Sequence, residues 1–178
     1  MPNFKPENGQ RGFSLVELLI VVIILSILAA IVVPQFASST NDAKYSALDS
    51  NLSSLRAATE LYYQQHGAYP SAVAASGGTP PAGGAAGTGA INTPQAVIDQ
   101  LTLYTNAAGQ AATASDASYK YGPYLKKGIP VEPISSLAAV EVSTAGILGM
   151  TATGSTGGWK FDNKTGQFIA NTAALQAR

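Results

Sequence analysis

A chain of 178 residues has room for roughly one ordinary domain and not for two independent cores. Its 10 Lys+Arg balance 10 Asp+Glu, and the 11% charged fraction is under half the roughly 25% of typical soluble domains, which leaves no polybasic footprint and argues against nucleic acid as the main partner. With no cysteine there is no disulfide or thiolate chemistry, and a single histidine, His66, excludes a two-His metal site, so catalysis is poorly supplied.

The charge deficit is concentrated. From Phe13 to Val33, 21 residues carry one charged side chain, Glu17, among Phe, Leu, Val, Ile and Ala, with Ser14 and Ser26 as polar interruptions. At 1.5 Å per residue such a helix spans about 31 Å, close to the hydrocarbon thickness of a bilayer, and predicts one membrane pass. Upstream, Met1 to Gly12 is polar, with Lys5 and Arg11 against Glu7; this excess of positive charge predicts a cytoplasmic N-terminus and an outward-facing remainder. Ala29-Ala30-Ile31 offers the small residues of a signal-peptidase site, but Val32, Val33 and Pro34 continue the pattern, so a retained anchor is the expectation.

Glu17 is the informative residue, because a carboxylate in an apolar span costs about 2.5–3.5 kcal/mol on insertion scales and needs a proton or a partner. Cleavage after Gly12 would free an amine on Phe13, four residues from Glu17 on the same helical face, and the two charges would compensate within one chain or between neighbours. A plain alternative is an acid that snorkels to the interface near the helix end. The run Arg11-Gly12-Phe13-Ser14-Leu15-Val16-Glu17-Leu18-Leu19-Ile20-Val21-Val22 resembles the processing site of type IV prepilins and of the pseudopilins of type II secretion systems. That resemblance covers Arg11 to Phe36. It implies cleavage between Gly12 and Phe13 by a prepilin peptidase, N-methylation of Phe13, and assembly into a helical filament in which Glu17 meets the Phe13 amine of an adjacent subunit. Pro34 corresponds to the family's helix-kinking proline; it removes one backbone hydrogen bond, which supplies either a point of flexure or a simple boundary kink.

Beyond Pro34 the helical pattern persists. Tyr45, Leu48, Leu52, Leu55, Thr59 and Tyr62 step by 3 and 4 as one apolar stripe, which predicts a sheet from the same chain packed against it. Gly67 and Pro70 supply the stop, giving a helix from Ser14 to His66 of 53 residues, about 80 Å, half in the membrane and half on a head.

The stretch 71–118 is poor in charge and rich in Gly and Ala from Ser76 to Gly89, which predicts a poorly structured loop. Gly84 to Gly89 lacks the Gly-Lys-Ser/Thr ending of a phosphate loop. Inside this region Thr93-Pro94 followed by Val97, Ile98, Leu101 and Leu103 predicts a short helix capped by Thr93. Tyr119, Tyr121, Tyr124, Leu125, Ile129 and Val131 predict an edge strand broken by Pro130 and Pro133. Trp159-Lys160-Phe161 and Gln167-Phe168-Ile169, flanking Asp162 to Gly166, form the best hairpin signal.

The expected architecture is therefore α+β: a long N-terminal α-helix, transmembrane then amphipathic, packed on a small antiparallel β-sheet head. The parts are a leader over 1–12, a transmembrane and filament-core helix over 13–34, an amphipathic helix over 35–66, a variable Gly/Ala-rich loop region over 67–118 and a β-sheet region over 119–178. The C-terminal disulfide of many type IV pilins cannot form here. A calcium ion, which the resemblance to major pseudopilins brings into question, would have only the scattered acids Glu132, Glu141 and Asp162, and no cofactor is expected otherwise. Asn163-Lys164-Thr165 matches a glycosylation acceptor, although turn chemistry explains the same residues.

The functional expectation is a non-enzymatic filament subunit, a major pseudopilin of a type II secretion system. The alternative is a major or minor type IV pilin of a surface pilus serving adhesion, twitching or DNA uptake. An unrelated single-pass anchor carrying a binding or enzymatic domain is the third reading, disfavoured by the lack of a Ser-His-Asp constellation. The partners that the resemblance implies are further copies of the chain, a prepilin peptidase, an inner-membrane assembly platform with its ATPase, minor pilins or pseudopilins, and the membrane. The implied location is the bacterial inner membrane with a periplasmic head, then a periplasmic pseudopilus or an extracellular pilus.

Overall fold

A computed structural model describes residues 12–154 and 158–175. The leader expected over 1–12 lies outside the described residues apart from Gly12. Helix α1 runs from Leu15 to His66 without interruption, through Pro34. Contacts divide the chain into two compact units, one ending at Ala43 and the other beginning at Lys44.

In the first unit, from Leu18 to Val33, α1 presents apolar side chains on every side. The large side chains from Phe13 to Val33 are 43–82% exposed, none of them packed against protein, so this segment is long and apolar enough to cross a membrane. Its polar interruptions satisfy themselves: the Ser26 hydroxyl donates to the Ile23 carbonyl at 2.8 Å and the Thr40 hydroxyl to the Phe36 carbonyl at 2.8 Å.

The second unit is an α+β head. The stripe read from the sequence is its spine, with Leu48, Leu52, Leu55, Ala58, Thr59 and Tyr62 buried, while Tyr45 stays 36% exposed at the rim. Strands β3 (Val140–Ser143), β4 (Trp159–Asp162) and β5 (Phe168–Ala170) lie against it in the order β3-β4-β5. Trp159, Phe161 and Phe168 fill the core with Val97 and Leu101. The expected hairpin is present, with Trp159 opposite Ala170 and Phe161 opposite Phe168. Strand β3 adds to it in parallel, Glu141 opposite Lys160, so the sheet is mixed rather than purely antiparallel. Helix α2 (Pro94–Thr102) starts as predicted, with the Thr93 hydroxyl accepting from the Ala96 N–H at 3.3 Å.

Two expectations need correction. The segment from Tyr119 to Val131 is not a strand; it makes one bridge, Tyr121 to Thr105, and otherwise serves by its side chains. Its β-forming rings are drawn to the end of α1, where Tyr124 packs edge-on to Tyr62 at 5.5 Å and Tyr121 to His66 at 5.1 Å. Its backbone turns away to the α2 terminus, with Tyr124 and Leu125 N–H groups donating to the Leu101 carbonyl at 3.0 and 2.8 Å.

The Gly/Ala-rich stretch, expected to be poorly structured, is irregular but pinned. Gly87 and Ala75 bond to Ala111, and strands β1 (Tyr104–Thr105) and β2 (Ala111–Ala112) form a short ladder beside them. The carboxylate of Asp99, on α2, holds the Thr88 and Gly89 N–H groups at 2.8 and 2.9 Å. A Cβ at Gly89 would fall 2.2 Å from the Ala96 nitrogen, so here glycine permits loop and helix backbones to touch.

Candidate functional site

The N-terminal junction is built from six residues. Gly12, Phe13 and Ser14 precede the helix in non-helical, exposed backbone, and nothing lies within 4 Å of where a Gly12 side chain would be. The bond between Gly12 and Phe13 is thus outside regular structure, as a peptidase needs of its substrate. With α1 starting at Leu15, Ser14 is the N-cap and Glu17 stands in the first turn. The Glu17 carboxylate accepts the Ser14 N–H at 3.4 Å, the acidic half of a Ser-x-x-Glu capping box. Negative charge in that first turn is also favoured by the helix dipole. Sequence reasoning singled out Gly12, Phe13 and Glu17 but missed Ser14, although the Ser-x-x-Glu spacing before an apolar run was the signal.

At Pro34 the helix continues, without the N–H that would have reached the Ala30 carbonyl. Downstream, the acids that a calcium ion would require are already committed. Both Asp162 oxygens are filled: Oδ2 accepts the Ser143 hydroxyl at 2.9 Å and the Gly146 N–H at 3.0 Å, and Oδ1 the Lys164 and Thr165 N–H groups at 3.0 Å. Burial pushes this carboxyl up, but the four donors outweigh it and hold the group below the usual carboxylate range. Glu132 is fully buried and accepts the Ile134 and Ser135 N–H groups at 2.8 and 2.6 Å. Glu141 pairs with Lys160 at 3.5 Å and accepts from Asn171 at 3.0 Å. Among the described residues no three His, Asp or Glu side chains converge as metal ligands, and Glu132, Glu141 and Asp162 each spend carboxylate oxygens on separate donors.

The glycosylation match falls on a buried side chain that ties the hairpin turn to distant parts of the head. Asn163 is 4% exposed, and its amide donates to the Asn92 side chain at 2.7 Å and to the Ser71 carbonyl at 3.2 Å. At the far end of α1 sits the histidine. His66 stacks on Tyr62 with ring centroids 4.1 Å apart, Nδ1 lies 3.0 Å from the Tyr62 carbonyl, and Nε2 lies 3.1 Å from the Thr105 hydroxyl. Burial lowers its pKa, against the raising effect of the Tyr62 and Asn106 carbonyls. Nε2 also lies 3.1 Å from the Asn106 carbonyl, so both ring nitrogens face backbone acceptors, and a neutral ring, with its one N–H, satisfies one of them. This is a helix-end lock and not a reactive centre.

Residues 8–33 match the family described as the prokaryotic N-terminal methylation motif, and the chain carries that motif. The type II secretion system core protein G of Pseudomonas aeruginosa is 44% identical over 65 residues, covering 36% of this chain and 46% of that protein. The type IV major pilin protein PilA of Myxococcus xanthus is 41% identical over 66 residues, covering 37% of this chain and 29% of its own length. A fimbrial protein of Pseudomonas aeruginosa is 45% identical over 53 residues, 30% of this chain and 34% of that protein. The similarity thus spans less than half the length of each of these relatives. No solved structure matches the chain.

Proposed function

We propose that this chain is a structural subunit of a type IV pilus-like filament, a major pseudopilin of a type II secretion system. The observation that carries this reading is the junction itself: an accessible Gly12-Phe13 bond, then a helical segment to Val33 that is apolar on all faces with Glu17 as its one charge. A helix of that kind is stable in lipid or among copies of itself, and nowhere else in water. Cleavage after Gly12 creates the Phe13 amine, and N-methylation keeps its positive charge.

In the uncleaved chain Glu17 is held by its own Ser14 N–H. In a filament the same carboxylate turns to the Phe13 amine of an adjacent subunit, where desolvation makes a charge pair decisive and an unpaired carboxylate costly. The mismatch is removed only when a subunit docks in register. Pro34 lets the apolar helix adjust its path within the packed core. The head stays outside the inner membrane, and a prepilin peptidase, an assembly platform and minor subunits are the partners this chemistry requires. The similarity to a major pilin supports the second reading, a surface pilus, on the same N-terminal mechanism.

Mass spectrometry of the mature protein tests the proposal. The expected N-terminus is N-methyl-Phe13; an intact Met1 in cells that hold the peptidase would overturn it. Glu17→Leu is expected to be cleaved normally and yet to give no sheared, pelletable filament. Loss of exoprotein secretion against loss of twitching in a deletion strain separates the two machines.

A further inference from the structure

The connection from β3 to β4 lies over the face of the sheet turned away from α1, the face that carries Glu141, Lys160 and Asp162. Side chains of the sheet fasten this strap. Asp162 Oδ2 accepts the Gly146 N–H at 3.0 Å, Gln167 Oε1 the Met150 N–H at 3.2 Å and Asn171 Oδ1 the Thr153 N–H at 2.8 Å, while Lys160 Nζ donates to the Thr151 carbonyl at 2.9 Å. The Asn171 amide also donates to Glu141 Oε2 at 3.0 Å, which joins the fastening groups to one another. The path is fixed, yet its tip is bare. Ile147 is 67% exposed, and Leu148, at 78%, is the most exposed large apolar side chain of the second unit among the described residues. A projecting tip that is already ordered loses little further freedom when it makes a contact.

Beside the tip lies a hollow of about 210 Å³, lined by Ser143, Ala145, Ile147, Met150, Thr151 and Lys160. It falls below the roughly 300–1,000 Å³ of small-molecule sites and suits a single side chain. Lys160 calls for no anion there, because Glu141 Oε1 at 3.5 Å and the Thr151 carbonyl already meet its charge. The fitting occupant is therefore one uncharged aliphatic side chain carried on a projection. The chain's own Leu148 does not line the hollow, but a second copy presents the same residue. Thr144 to Gly158 contains no charged residue and the whole chain has a formal net charge of +0, so two such straps meet without repulsion.

We propose that the strap of residues 144–154 is a self-complementary contact through which two copies of the chain pair, each placing Leu148 in the hollow of the other. Tip and hollow sit on one strap, so seating one tip brings the reciprocal pair together about a two-fold axis. A two-fold pair closes on itself; the contact goes beyond the filament reading, joining chains two at a time without lengthening a helix of subunits. The strap is smaller than the roughly 20–30 residues a side of a standard interface, so pairing depends on copies held side by side in one membrane.

The absence of cysteine allows a direct test by cross-linking. Two full-length chains distinguished by their tags, one Leu148→Cys and the other Ala145→Cys, are co-expressed in a host without pilus or secretion machinery, and the membranes are treated with a short bismaleimide. The expected product is a mixed-tag dimer, severalfold more abundant than that of Leu148→Cys with Lys126→Cys, an exposed position outside the strap. A yield no higher than this control overturns the proposal. Ile147→Asp on both chains puts a carboxylate into the contact and is expected to abolish the mixed dimer without moving the melting temperature. Mixed dimer at full yield in that background overturns the proposal as well.

Discussion

Protonation of the His66 ring sets a pH dependence whose sign follows from burial. Burial favours the neutral ring in the folded state, so the folded pKa lies below the reference value of 6.5. Between the two values the unfolded chain binds more protons, and stability declines as pH falls below the reference value. Urea melts of the wild type should show a lower midpoint at pH 5 than at pH 8, and His66→Gln should lose much of that difference. Asp162 works the opposite way at lower pH. Its folded pKa is depressed, so its contribution is present above the reference 3.8 and disappears as pH drops through the folded value. Asp162→Asn keeps the shape but leaves some N–H donors facing an amide, and is expected to lower stability by about 1–3 kcal/mol in a denaturant melt. Neither role was legible in the sequence. His66 read only as the end of a helix and Asp162 as part of a turn, because the groups that define them, Thr105 and Ser143, come from distant parts of the chain.

Elements with a local code were read correctly. Helix α2 carries its start signal in Thr93-Pro94, and Thr93→Ala should destabilise the head by about 1 kcal/mol in thermal melts. The stripe on α1 identified its buried face through a 3.6-residue period. Leu52, 1% exposed at the centre of that stripe, should cost about 2–5 kcal/mol when replaced by Ala, read from the shift in urea midpoint. The hairpin was legible because its turn is short and its strands alternate. At Gly166 a Cβ would fall 2.3 Å from the Tyr69 ring, and φ is +71°, so the turn residue is dictated twice over. Strand β3 was missed for the converse reason. It pairs in parallel with β4 across a long connection, and nothing within four residues of Val140 announces a partner that far away. The tyrosine-rich segment misled because β-propensity records fitness for half-buried surface, which packing on Tyr62 and His66 supplies equally well.

Among the described residues, charge is disposed in two ways: the segment Phe13 to Val33 carries Glu17 alone, whereas in the head the buried acids Asp99, Glu132 and Asp162 are enclosed by donors from the same chain. A chelator such as EDTA, and equally added calcium, should therefore leave the melting temperature of the head unchanged; a calcium-dependent rise would contradict the donor geometry. Of the candidate site, Gly12, Phe13 and Glu17 were legible because the signal is contiguous. The Lys160, Glu141 and Asn171 group was not, since its members meet only through the parallel register of β3 on β4.

Strand β5 lies at the edge of its sheet, and an edge strand's open carbonyls invite another backbone. Arg56 reaches from α1 and places Nε and Nη2 on the Phe168 carbonyl at 3.2 and 3.0 Å. A guanidinium fixed there takes the acceptor that an incoming strand would use and sets a cation in its path. The same contact that fastens helix to sheet thus guards the margin of the fold against edge-to-edge, amyloid-like pairing.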